Sequence, residues 1–322
     1  MSQLRLNPLT GRWVTVAAER ASRPGDLVSR QLPVESDPER RCPFCAGNEE
    51  ATPPALETYG PGGTWLVRVV PNLYPAFEGH EPLQVQNLGP VFTQASASGV
   101  HEVLVLTPDH AGSWADLDDK HAGLAMAAIR DRMEDHAQRS TVRYTQAIVN
   151  AGREAGASLE HPHGQLLGIP FVPGEIAEEE AGFRRFEGSC LLCTVIEAEL
   201  QADHRVVLED ERVIVVCPFW SGAPYEMLVI PRTHEVHLED TAPVDVVATG
   251  RAIRDALRLL RAQVGDTAYN IVFHTAPHHH EGPFHWHAHI VPRLTSLAGF
   301  EQGTGVMINI VAPELAARHL SG

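Results

Sequence analysis

The sequence predicts an α+β protein made of two duplicated halves, each an antiparallel sheet with one long helix inserted before its last strands. Three observations carry that reading. Chemically distinctive residues recur in one order: Cys42-x-x-Cys45, His110, Asn150 and His161, then Cys190-x-x-Cys193, His234, His274 and His285. Their spacing recurs too. His110 to His161 and His234 to His285 are both 51 residues, and Asn150 to His161 and His274 to His285 are both 11. From Glu102 to His110 is eight residues, as from Glu226 to His234. Finally, short β-branched runs alternate in each half with one long stretch of helical spacing. With 322 residues and 43% apolar content, the chain can fill cores for both halves. The halves are read as residues 1–175 and 176–322, joined near 170–182.

The elements follow from local pattern. "WLVRVV" (65–70), "EVLVLT" (102–107), "YTQAIVN" (144–150) and "QLLGIPF" (165–171) are apolar runs bounded by Pro, Gly and Asn, hence strands. Residues 116–140 place Leu124, Ile129 and Met133 at helical spacing behind an acidic start, which suits a helix N-terminus. Residues 242–265 are the counterpart, stopping at Gly265. "TAPHHHEG" (275–282) reads as a solvated loop.

A formal net charge of −16 argues against nucleic acid or an anionic membrane as the main partner, since both require a basic surface. An anionic small molecule needs only a local cluster of donors. There is no signal-like N-terminus and no bilayer-length apolar run, so a cytoplasmic protein is expected. In that setting two C-x-x-C pairs point to metal or redox chemistry rather than structural disulfides. Redox ranks below metal because neither pair visibly precedes a strong amphipathic helix. Cys217, after "VIVV", is expected as a buried strand-end thiol.

Cys42, Cys45, His110 and His161 form a Cys2His2 set suited to zinc, with four protein ligands closing the metal to substrate. Cys190, Cys193, His234 and His285 repeat it, with His237 as an alternative to His234. Two zinc ions per chain are therefore expected. In "HPHGQ" (161–165), a metal-held His161 and a rigid Pro162 leave His163 on the other side of the backbone. A neutral imidazole there can attack phosphorus, provided its other nitrogen is held in the correct tautomer. A lone histidine is ordinarily a satisfied core or surface residue; the neighbouring ligand is what favours a nucleophile here. Just upstream, Asn150, Gly152, Gly156 and Ser158 offer donors on permissive backbone, as a phosphate cradle needs.

The pattern N-x10-H-P-H-G-Q, together with "CPFC", "VPNLYPAF", "TPDH" and "NPLTGRWVTVAAERASRP", resembles the galactose-1-phosphate uridylyltransferases of the histidine-triad superfamily, over most of the chain. The resemblance implies two histidine-triad-like halves, a homodimer with shared active sites, and a ping-pong reaction. His163 would attack the α-phosphorus of UDP-glucose, release glucose 1-phosphate and carry the nucleotidyl group to another hexose 1-phosphate. By the same match Gln165 would stabilise the phosphoryl oxygens, and Asn72, Asn150, Gly156 and Ser158 would contact nucleotide or phosphates. Arg20 and Arg23 would reach substrate phosphate from the neighbouring subunit; the competing reading is an ordinary solvated basic turn.

Two departures qualify the match. The family's second metal uses positions matching Glu179, His274, His287 and His289, whereas here the cysteine set competes for that role and is preferred. "HWHAH" (285–289) also keeps all three triad histidines and could itself be an active site. In the acceptor segment, Thr304 and Gly305 stand where a tyrosine and a glutamate are usual, a form similar to the ADP-sugar phosphorylase branch. The expected function is a UDP-glucose–hexose-1-phosphate uridylyltransferase; the alternative is an ADP- or NDP-sugar phosphorylase. A zinc-stabilised nucleotide-binding module is the third reading, and pure binding would not need His163.

Overall fold

A computed structural model describes residues 2–22 and 41–322. The first half opens with β1 (Gln3–Leu6) and β2 (Trp13–Val16), then β3 (Glu57–Tyr59) and β4 (Val67–Pro71). A small exposed ribbon, β5 (Gln86–Asn87) and β6 (Thr93–Gln94), precedes β7 (Val100–Val105), α1 (Asp119–Ala137), β8 (Tyr144–Ala151) and β9 (His163–Ile169). Next come α2 (Gly174–Arg185) and α3 (Leu191–Ala202), then β10 (Val206–Glu209), β11 (Val213–Val216) and β12 (Met227–Pro231). The chain finishes with α4 (Pro243–Val264), β13 (Tyr269–His274), β14 (His287–Pro292), α5 (Gly299–Thr304), β15 (Met307–Asn309) and α6 (Pro313–Ser321).

Ten strands form one antiparallel sheet in the order β10-β11-β12-β14-β13-β8-β9-β7-β4-β3. Read outward from the β13–β8 junction, the two sides match strand for strand, so the repeat is a pseudo-twofold about that junction. Residues 124 apart in sequence meet on the axis: Ile148 pairs with Val272 in the sheet, and Gly123 faces Val247 between the helices. α1 and α4 cross there over one face, above a core that includes Leu104, Met126, Ile129, Val149, Ile253 and Phe273.

The opposite face carries the chemistry, because strand side chains alternate between faces. Leu104 points to the helices while Val103 and Val105 join a small cluster with Phe44. His163 stands opposite Val105 and Gln165 opposite Val103, so both share that outer face.

Three expectations are corrected. The segment read as a linker folds as α2, and residues 175/176 fall inside it. "TAPHHHEG" is not a solvated loop. His278 is buried between Glu239 and Thr145, and His280 pairs with Glu180. And Cys190 does open a helix, α3, with Cys193 in its first turn.

Candidate active site and metal centres

Cys42, Cys45, His110 and His161 converge, their potential ligand atoms all within 4.8 Å of one another. Cys45 Sγ is 3.3 Å from His110 Nδ1 and 3.6 Å from His161 Nδ1. The buried His161 donates from Nε2 to the Thr107 carbonyl at 2.8 Å, which leaves Nδ1 as a bare lone pair turned to the cluster. Burial and the adjacent Cys42 push the Cys45 thiol upward, a repulsion that a bound dication would relieve. Donor set and tautomer therefore fit a closed tetrahedral metal.

The same carbonyl logic fixes His163, the candidate nucleophile. His163 Nδ1 donates to the His161 carbonyl at 2.8 Å, so its Nε2 is unprotonated. Burial lowers its pKa below the ordinary histidine value, keeping the ring neutral. Phe44, inside "CPFC", packs on both rings, with centroids 5.9 Å from His161 and 5.4 Å from His163. The loop that carries the first cysteine pair thus packs directly on His163.

Around it, Gln165 Oε1 accepts from His101 Nε2 at 2.8 Å. Asn72 stands beside the same ring, with its Oδ1 accepting from Tyr74 N–H. Asn150 Oδ1 accepts from Asn270 across the junction, at 2.6 Å. Gly156 is left-handed at φ 87° and exposed, and Ser158 is exposed in the same loop. Arg20 is exposed and lines a cavity of about 760 Å³ in the second half, with Glu179, His274, His289 and Arg293. Arg23 lies outside the described residues.

Cys190, Cys193, His234 and His285 also converge. Cys193 Sγ is 3.7 Å from His234 Nδ1 and 3.6 Å from His285 Nδ1, and His285 Nε2 donates to the Pro231 carbonyl at 3.0 Å. His237 is turned away, bonded to Pro277 and Asp240. Burial and Cys190 push the Cys193 thiol up to about 12, the wrong direction for a reactive dithiol despite the helix start.

Sequence reasoning treated Glu179, His274, His287 and His289 as rivals of that cysteine set. The structure assembles both, with no shared residue. His287 Nδ1 donates to the His285 carbonyl at 3.0 Å, as in the first half. Its free Nε2, however, is walled in by Glu179 Oε2 at 3.8 Å and by the rings of His274 and His289. Burial alone would raise Glu179; its histidine neighbours, His274 first among them at 2.9 Å, outweigh that and hold the carboxyl at about 2. His287 Nε2, His289 Nε2 and Glu179 Oε2 are buried with no hydrogen-bond partner, as groups awaiting a cation would be. A fourth group, Glu102, Asp135 and His136, is already neutralised by Arg132, which bonds Glu102 through two nitrogens at 2.8 Å.

His101 was missed in the sequence. Its only signal was two-residue alternation with Val103 and Val105, and the spacing match had singled out its neighbour Glu102 instead. Register resolves the matter. Val103 stands opposite Gln165 and Leu228 opposite His289. Two residues before each come His101 and Glu226, so Glu226 is the structural counterpart of His101.

A family model described as galactose-1-phosphate uridyl transferase, N-terminal domain, matches residues 1–173, and a domain of unknown function matches 108–320. ADP-glucose phosphorylase of Arabidopsis thaliana is 33% identical, over 98% of this chain and 91% of that protein. Galactose-1-phosphate uridylyltransferase of Thermotoga maritima is 30% identical, over 99% and 98%. The crystal structure of the Arabidopsis phosphorylase with bound ADP-glucose superposes with a TM-score of 0.84, covering 100% of this chain and 99% of that one at 30% identity.

Proposed function

The chain belongs to the galactose-1-phosphate uridylyltransferase family of enzymes, and from that membership we propose that it transfers a nucleoside monophosphate from a nucleoside diphosphate hexose through His163. The observation that carries this is the tautomer lock: His163 Nδ1–H held by the His161 carbonyl, with Nε2 bare on the outer face. Nε2 attacks the α-phosphorus, the bond to the bridging oxygen breaks, and a hexose 1-phosphate leaves. The His161 carbonyl steadies the positive charge that develops on the ring. Gln165, on the same face of β9, would offer an amide donor beside the nucleophile, and Asn72, Asn150, Gly156 and Ser158 would contact nucleotide or phosphates, as the family resemblance implies. Arg20, and Arg23 with it, would bind substrate phosphate from the partner of a homodimer.

Cys42, Cys45, His110 and His161 would hold one zinc, and Cys190, Cys193, His234 and His285 a second. Zinc there supplies a fixed cross-link rather than a reacting centre, since four protein ligands leave no open position. The set of Glu179, His274, His287 and His289 takes the second-metal role implied by family resemblance, alongside the cysteine set.

The first reading of the acceptor is a hexose 1-phosphate such as galactose 1-phosphate, with UDP-glucose as donor. A second reading, phosphorolysis of an ADP-sugar, draws on the likeness to the Arabidopsis phosphorylase. It also draws on the small Thr304–Gly305 pair, Gly305 lining the cavity beside Arg20. The protein is incubated with UDP-glucose or ADP-glucose, and with galactose 1-phosphate or inorganic phosphate. Turnover that rises with the hexose phosphate supports transfer. Phosphate outcompeting every hexose phosphate replaces it with phosphorolysis, and no nucleotidyl adduct with any donor removes both.

A further inference from the structure

We infer that His101 is a positioning residue that orients the Gln165 amide, so that its NH2 rather than its oxygen meets the phosphoryl group on His163. The inference rests on the reading of His163 as nucleophile. The backbone N–H of Ala76 donates to His101 Nδ1 at 3.0 Å, so the ring hydrogen must sit on Nε2. His101 Nε2 is 2.8 Å from Gln165 Oε1 and 3.1 Å from Asn72 Nδ2. Asn72 cannot accept that hydrogen, because its Oδ1 already takes the Tyr74 N–H at 2.9 Å and its NH2 is what faces the ring. Gln165 Oε1 is thus the acceptor, and the Gln165 NH2 is left to turn elsewhere. A phosphoryl group presents only acceptor oxygens, so an NH2 attracts it and an amide oxygen repels it. Gln165 and His163 lie two residues apart on β9 and share the outer face.

The second half provides an internal control. There Glu226 occupies the place of His101 and His289 the place of Gln165, and the polarity is reversed. Glu226 Oε1 accepts from His289 Nδ1 at 3.3 Å, while its other oxygen takes the N–H groups of Gly222 and Ala223. An acceptor at this position fixes a histidine with its second nitrogen bare, as suits the collar of ligands around Glu179. A donor at the same position fixes a glutamine with its donors outward. This one strand position therefore sets which sign of charge the third residue of each triplet can greet.

Two measurements test the inference. Ring 15N–1H correlation spectra of the wild-type protein, with His101 assigned by loss of its signal in His101→Gln, should show Nε2 protonated and Nδ1 bare. Formation of labelled nucleotidyl adduct is then followed by rapid quench. His101→Phe fills the ring volume without a donor and should slow adduct formation about tenfold or more, as loss of outer supports does, with the half-saturating donor concentration little changed. His101→Gln restores a donor and should recover most of the rate. In a Gln165→Ala background the Phe change should add nothing, since its route runs through that amide. A protonated Nδ1 in the wild type, equal rates in the Phe and Gln variants, or full additivity with Gln165→Ala would each overturn the assignment. Zinc content and melting temperature accompany each variant; if Phe fails to fold, the wild-type tautomer and the Gln variant decide. Absence of any adduct on wild-type His163 would instead defeat the functional reading, and the tautomer result would still stand or fall alone.

Discussion

His163 and His287 share a backbone lock but differ in what their free nitrogen faces. The Nδ1 of each donates to the carbonyl two residues earlier, at 2.8 and 3.0 Å. His163 then presents Nε2 beside Gln165, whereas His287 presents it to Glu179, His274 and His289. A nucleophile collared by three potential metal ligands cannot also reach a phosphorus atom. With labelled nucleotide sugar and no acceptor, His163→Ala should abolish the acid-labile adduct and His287→Ala should leave it. Label that survives the first change and vanishes with the second would move the active site to the second half. The pH profile follows from the same burial. Burial lowers the His163 pKa from the ordinary 6.5, and the neutral ring is the reactive form. The decline in adduct formation as pH falls should therefore have its midpoint below 6.5. A decline centred above 6.5 would show that the ring is not held neutral.

At the scale of elements, each C-x-x-C pair, the first in a loop and the second at the start of α3, meets a histidine at the end of a strand. His161 hangs just before β9 and His285 just before β14, so a metal held at either set would tie down a strand end, and its loss would loosen it. Only the first of those strands begins with the proposed nucleophile, and only there does the loop's own Phe44 pack on it. Cys42→Ser and Cys190→Ser should each remove one zinc by elemental analysis. The first should cost about an order of magnitude more activity; equal losses would mean that the His161 anchor does not orient His163. The helix pair is tested separately. A Cβ on Gly250 would lie 2.3 Å from the Ala122 carbonyl oxygen, in backbone that cannot give way. Gly250→Ala should therefore destabilise by about 1–3 kcal/mol in urea unfolding, with zinc content retained. Unchanged stability would mean that α1 and α4 do not approach so closely. These features differ in how far the sequence reveals them. Ligand spacing and the long helices are legible, because cysteine chemistry and 3.6-residue periodicity are local. α2 was hidden because Glu179 and Gly182 interrupt its inward face, leaving only Ile176 and Phe183 to mark it within an acidic run that looks like a linker. The pairing of His101 with Gln165, and the coexistence of two ligand sets in the second half, depend on strand register. A one-residue difference between β7 and β12 is invisible to spacing alone, and it is what matched Glu226 to Glu102 instead of His101.

At the scale of the whole molecule, the shared ten-stranded sheet is not the only thing that joins the halves. A chain of buried polar groups crosses the pseudo-twofold. Arg132 grips Glu102, whose carboxylate lies 3.1 Å from His136 Nε2. His136 Nδ1 is 3.1 Å from Thr145 Oγ1, which is 2.8 Å from His278 Nε2, and His278 Nδ1 is 2.7 Å from Glu239. The chain begins on a carboxylate of the first half and ends on one of the second. The sequence showed none of this, because "TAPHHHEG" resembles a surface loop until β13 delivers His278 against Thr145 and Glu239. Burial alone would raise Glu102, but its bonds to Arg132 and His136 outweigh that and hold the carboxyl at about 2, against an ordinary 4.5. A carboxyl with a depressed folded pKa stabilises the fold fully above its unfolded value. It loses that contribution as pH falls through its folded one. Stability should therefore hold above pH 4.5 and drop between 4.5 and about 2. Glu102→Gln leaves the Arg132 guanidinium short of its buried partner. It should cost about 3 kcal/mol or more at pH 7 and flatten part of the acid transition, both read from urea midpoints across pH. A variant as stable as wild type at pH 7, with the same acid midpoint, would show that the two halves hold together without this chain.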